Sequence, residues 1–293
     1  MLSTVVRNII RKPRTLLEVN RKLRLKLAMS GRSSRSVPVF LHVPKTGGTY
    51  LSRVHNAGRP VLWPLRYLGH ALIGSADGHH GPLMTETPWV WSKFITKKDL
   101  RRNFVFSVCR NPFDLLVSYR AHASKYDPAV TGEGSHDFDA SHGDFGDFVK
   151  RLADRECPWP NRRMLHFQMF ADDGEFVVDW VFRNESLDDD AEALANHLGV
   201  EYSRLERLRT GRGNRPKDYR EMYTDSLVDL VERTWGDDLA LFGYDFESGP
   251  VEGQGLHGPI DDDRRRSIRY DRGRGLVRVG GEPIRGSVPT AFG

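Results

Sequence analysis

Two short apolar runs set the frame of this chain. "VPVFLHV", Val37 to Val43, and "NFVFSVC", Asn103 to Cys109, are continuous rather than alternating, the pattern of strands covered on both faces. Each leads through a loop into a helical pattern, and the one after Arg110, Asn111 and Pro112 reads "FDLLVSYRAH". A further strand is expected in "EFVVDWVFR", Glu175 to Arg183, and helices over Phe148 to Asp154, Asp189 to Leu198 and about Lys217 to Arg233. The second of these follows a run of three Asp, which suits the positive end of a helix. The alternation of strand, loop and helix predicts an α/β domain: a parallel sheet flanked by helices on both faces.

Outside that frame the patterning changes. In residues 1–36 Leu16, Val19, Leu23 and Leu27 recur at helical spacing on a basic background, with Pro13 interrupting an earlier segment, and "SGRSSRSV" is a polar linker. Residues 123–146 are rich in Gly, Asp, His and Ser and read as a long surface segment. From about Glu247 the chain is rich in Gly and Arg, with too few large apolar residues to pack alone. The expected organisation is a basic helical segment and linker over 1–36, one domain over 37–247, and a flexible tail over 248–293.

Charge sharpens this division. The 293 residues carry a formal +5, but residues 1–36 hold ten Lys/Arg against Glu18 alone, and residues 261–293 hold eight Arg against five acids. The central domain is therefore acidic and lacks the electrostatic footprint of a nucleic-acid binder. The basic N-terminus is the segment suited to peripheral contact with an anionic membrane. Lys and Arg interrupt every candidate membrane span, and the N-terminus lacks the apolar core of a secretory signal, so a cytoplasmic protein is expected. Only Cys109 and Cys157 are present, and no His or Cys spacing forms a metal-ligand set.

The candidate chemistry lies in "VPKTGGTYL", Val43 to Leu51, between the first strand and its helix. Two adjacent glycines let several main-chain N–H groups converge on one anion, and a helix beginning there adds its positive end. Lys45 precedes the glycines, whereas the lysine of a nucleoside-triphosphatase loop follows them, and no "GK[ST]" is present. Arg110 stands at the end of the second strand, where open α/β sheets bind ligands, and Ser118 lies two helical turns further on.

These two motifs, in this order, resemble those of sulfotransferases that use 3′-phosphoadenosine 5′-phosphosulfate (PAPS), in particular the carbohydrate-type branch. "VDWVFRNESLDDDAEALANHLGV" and the closing "D…FGY" extend the resemblance over roughly Val37 to Phe246. It implies a P-loop NTPase-like fold and transfer of a sulfuryl group from PAPS to an acceptor hydroxyl, most readily on a carbohydrate, leaving 3′,5′-ADP. Pro44, Lys45, Thr46, Gly47, Gly48, Thr49 and Tyr50 would form the 5′-phosphosulfate loop, and Arg110 and Ser118 would hold the 3′-phosphate. Arg212 and Lys217, in the late basic loop "RTGRGNRPK", would close over the nucleotide. Lys45 would be the catalytic cation, and the general base would come from His80, His79 or His70, with Glu86 as a fallback; no metal is implied. The competing readings are a nucleotide kinase or NTPase, which the loop order disfavours, and a non-catalytic glycan- or membrane-binding protein on the same fold.

Overall fold

The structure is a computed structural model that describes residues 39–43, 45–48, 51, 66–67, 100–123, 143–154, 164–171, 173–199, 216–271 and 274–285. Strands β1 (Val39–Leu41), β2 (Arg66–Tyr67), β3 (Val105–Cys109) and β4 (Trp180–Arg183) run parallel in the order β2-β1-β3-β4. Helix α1 (Pro112–Ala123) follows β3, α2 (Phe145–Ala153) comes next, and α3 (Leu187–Leu198) follows β4. Helix α4 (Asp225–Phe242) closes this part of the chain.

Alternate side chains of the strands feed two apolar clusters. Val105, Cys109, Leu41 and Val181 pack with Phe113 and Leu116 of α1, Phe148 of α2 and Val231 and Leu239 of α4. Phe106, Val108, Phe40 and Phe182 pack on the other side with Leu187, Ala191 and Leu194 of α3. Within the second cluster three rings form a ladder across β1, β3 and β4: Phe40 lies 5.1 Å from Phe106, and Phe106 lies 5.0 Å from Phe182, between centroids. Every residue of β3 is buried, which is why its sequence is a continuous apolar run.

Element boundaries differ from the expectations where polar caps decide them. Helix α2 begins at Phe145, three residues early, because Asp144 and Asp147 form a reciprocal capping box. The expected helix from about Lys217 splits in two: Asp218 caps a 3₁₀ turn over Tyr219–Met222, and α4 proper starts after Thr224 and runs on to Phe242. Of "EFVVDWVFR" only the last four residues are β4.

The segment from 248 onward is not a flexible tail as far as residue 285. Strands β5 (Tyr244–Asp245) and β6 (Gly249–Pro250) form a short hairpin, and β7 (Gly258–Pro259) pairs antiparallel with β4 at the sheet edge. The sheet is thus mixed rather than wholly parallel. Pro259 has no N–H to donate, and an edge position tolerates that. Helix α5 (Asp262–Ser267) and strands β8 (Ile268–Asp271), β9 (Leu276–Val279) and β10 (Glu282–Pro283) complete the segment. Among the described residues it builds no core of its own; Ile268, Tyr270 and Val277 join the main cluster instead. Polar anchors supply the rest: Arg265 Nη1 donates to Asp179 Oδ1 (2.8 Å), and Asp237 Oδ2 accepts from the Val277 N–H (2.7 Å). The N-terminal helix expected before residue 37 and most of the 123–146 segment lie outside the described residues.

Candidate functional site

The loop after β1 is tightly turned and partly buried. Lys45 sits in the left-handed region at φ 66°, and Gly47 follows at φ 110°, a value that favours glycine. Gly48 has a different reason: a Cβ there would stand 2.0 Å from Nε2 of His42, whose buried imidazole packs against the loop. Leu51 N–H donates to the Gly47 carbonyl (3.3 Å), so the helical turn begins directly at the glycine pair. Thr46 is fully buried, and its hydroxyl donates to the Val43 carbonyl (2.7 Å), which ties the loop back to the end of the strand. Asn184, just beyond β4, braces the loop through Nδ2, which donates to the Thr46 carbonyl (2.8 Å).

Arg110 lies beside this loop. Its Nη1 donates to the Lys45 carbonyl (2.6 Å), its Nε donates to Asp114 Oδ2 (2.7 Å), and Nη2 stands 2.6 Å from the same oxygen. A guanidinium has five N–H groups, so one on each η nitrogen remains for a further acceptor. The residue is 8% exposed, and burial pulls its guanidinium down to about 10, with Glu185 acting in the opposite direction. Arg110 stays cationic at neutral pH, but its charge is poorly solvated, the condition that an arriving anion relieves.

The residues after Arg110 explain themselves. Asn111 is the N-cap of α1: its Oδ1 accepts from the Phe113 N–H (3.0 Å) and its carbonyl from the Leu115 N–H (2.8 Å). Pro112 takes the first helical position, where a missing N–H costs nothing. Ser118, 8% exposed, lies on the same helix. Glu185 Oε1 accepts from the Asn111 N–H (3.3 Å) and Oε2 from the Tyr244 hydroxyl (2.8 Å), which ties the end of β4 to the "FGY" turn. Burial raises the Cys109 thiol and the Tyr244 phenol far above their ordinary ranges, so neither ionises near neutrality.

Behind Arg110 lies a buried pair that the sequence reading missed. Asp238 of α4 accepts from the Leu165 N–H (2.8 Å) and the His166 N–H (3.0 Å), and its Oδ1 is 2.6 Å from His166 Nδ1. On the far side of the ring, Nε2 accepts from the Arg110 N–H (3.2 Å). A lone His in the apolar run "RMLHFQMF" gives no local hint of this. Asp114 was legible in principle, since it stands four residues after Arg110 on a helix face.

The structure therefore brings Lys45, Thr46, Gly47, Gly48 and Arg110 together at the carboxyl end of the sheet, with Ser118 on the helix that Arg110 precedes. Lys217 is exposed and lies two residues before Tyr219, whose hydroxyl accepts from Asn111 Nδ2 (3.2 Å). Pro44, Thr49, Tyr50, His70, His79, His80, Glu86 and Arg212 lie outside the described residues. Among the described residues no cluster of His, Cys, Asp or Glu is placed to hold a metal ion, and no helix is long and apolar enough to cross a membrane.

Compared with known families, residues 32–245 match the model described as "Sulfotransferase family". No curated protein and no solved structure matches the chain. The family match ends at β5, so strands β6 to β10 and α5 lie beyond it.

Proposed function

Because the chain belongs to the sulfotransferase family, we propose that it transfers the sulfuryl group of PAPS to an acceptor hydroxyl, on a P-loop-like α/β fold. The observation that carries this is the 2.6 Å hydrogen bond from Arg110 to the Lys45 carbonyl, which joins the two motifs expected to hold the two ends of the nucleotide. The residues present fit a ligand with two anionic ends. Arg110 retains guanidinium donors, and the glycine pair and the helical turn after it offer main-chain N–H groups.

PAPS supplies an activated sulfuryl group suited to in-line displacement. In this reading Arg110 and Ser118 bind the 3′-phosphate, and Thr46, Gly47 and Gly48 bind the 5′-phosphosulfate end. The ammonium of Lys45, at the mouth of the loop, provides positive charge where the leaving oxygen becomes negative. The acceptor we favour is a carbohydrate hydroxyl, deprotonated by His80, His79 or His70. Lys217 and Arg212 would approach from the late basic segment.

Calorimetric titration with 3′,5′-ADP and, in parallel, with ATP plus Mg²⁺ tests the donor class. Preference for 3′,5′-ADP is expected. Preference for ATP, or binding of neither, would overturn the proposal.

A further inference from the structure

We infer that His166 is a positioning residue for the donor site: clamped by Asp238, it sets the main chain of Arg110 and, through the Arg110 side chain, the left-handed conformation of Lys45. The inference rests on Arg110 being an anion ligand, as proposed above.

The hydrogen bonds fix the chemistry of the ring. Nε2 faces a main-chain N–H, that of Arg110, and can only accept from it. Nδ1 faces a carboxylate oxygen of Asp238 and must carry the proton. Both contacts demand the same neutral tautomer. Asp238 cannot drift, because it also accepts from the Leu165 and His166 N–H groups, so ring and main chain are held by one carboxylate. Both side chains are completely buried, and the ring packs 4.8 Å from Phe242 between centroids.

What the ring holds is the last step before the site. The Arg110 N–H is at the end of β3, one residue beyond the register pair of Cys109 with Arg183. The Arg110 side chain then reaches the Lys45 carbonyl. Lys45 is, among the described residues, the non-glycine residue with positive φ, a conformation that persists only where the surroundings hold it. The path from Asp238 through His166 and Arg110 to Lys45 thus links the closing helix α4 to the loop by four consecutive hydrogen-bonded residues. It also gives the "D…FGY" ending a purpose: its Asp is the anchor of this path.

The two amide replacements separate positioning from packing. In His166→Asn, Nδ2 can replace Nδ1 as the donor to Asp238, but nothing reaches the Arg110 N–H. In His166→Gln, Oε1 can take the place of Nε2 as the acceptor. We expect His166→Asn to weaken 3′,5′-ADP binding roughly tenfold to a hundredfold, and His166→Gln to restore most of it even where its melting temperature is the lower of the two. Affinity losses that follow melting temperature and ignore the acceptor would overturn the inference. Arg110→Ala is titrated alongside. If it binds 3′,5′-ADP as well as the wild type does, the donor-site reading itself has failed, and the positioning role falls with it. If Arg110→Ala is impaired but folded His166→Asn is not, only the positioning role is overturned. Should both histidine variants fail to fold, ring nitrogen NMR of ¹⁵N-histidine-labelled wild-type protein decides. A protonated Nδ1 with a bare Nε2 supports the inference, and the opposite tautomer overturns it.

Discussion

Two arginines end neighbouring strands of the same sheet, and they do opposite work. Arg183, level with Cys109 in the β3–β4 register, donates through Nη2 to the Phe242 carbonyl (3.0 Å) and the Gln254 carbonyl (2.8 Å) and lies over the Tyr244 ring. Its partners are main-chain carbonyls at the end of α4 and in the turn beyond it. Arg110 instead holds the Lys45 carbonyl and the side chain of Asp114, which is 17% exposed. Both are buried to a similar degree, 7% and 8% exposed. Burial of an arginine is therefore uninformative here; what separates a brace from a ligand site is whether its partners can be exchanged for an incoming anion.

The largest effect expected from this contrast is on stability. Arg183→Ala would take this donor from the buried Phe242 carbonyl and the part-buried Gln254 carbonyl and should cost about 3–5 kcal/mol, read as a fall in thermal or denaturant midpoint. The preference of the folded variant for 3′,5′-ADP over 5′-AMP should stay as in the wild type. A loss of that preference would erase the distinction between the two arginines.

Next in size is the effect at Lys45, the cation proposed to stabilise the leaving oxygen. Lys45→Ala should raise the barrier by about 3–4 kcal/mol, the scale for removing one preorganised donor, with little change in 3′,5′-ADP affinity. Single-turnover decay of PAPS measures the first and calorimetry the second. Equal losses in both would make Lys45 a binding residue like Arg110.

Arg110→Ala should then cost about 2–3 kcal/mol of 3′,5′-ADP affinity while leaving 5′-AMP binding nearly unchanged. Parallel titrations with the two nucleotides check it. Equal weakening of both would reject the 3′-phosphate assignment.

How much of this contrast could be read beforehand follows from where each contact lies along the chain. The end of β3 was legible because its determinants are adjacent: an apolar run, a strand-end Arg, and a helical pattern directly after Asn111 and Pro112. The role of Arg183 was not, since its partners Phe242 and Gln254 stand 59 and 71 residues away. The same holds for His166, whose anchor Asp238 is 72 residues downstream. The C-terminal segment was misread for a related reason. Composition shows that it cannot make a core, but not that Ile268, Tyr270 and Val277 complete one begun elsewhere. Helix α4 was placed too early because Tyr219, Met222 and Tyr223 continue a helical spacing while packing, from a 3₁₀ turn, around the rim of the core.

The smallest effect probes exchangeability itself. Asp114 occupies Nε and Nη2 of Arg110, so a 3′-phosphate would compete with that carboxylate for the guanidinium. Asp114→Asn removes a competing negative charge but keeps an oxygen acceptor in place. It should tighten 3′,5′-ADP binding about two- to fivefold and leave 5′-AMP unchanged. If binding weakens instead, Asp114 orients the guanidinium fork rather than competing for it. Arg110 would then resemble Arg183 in being braced, and the anion would use only the N–H groups that Asp114 and Lys45 leave over.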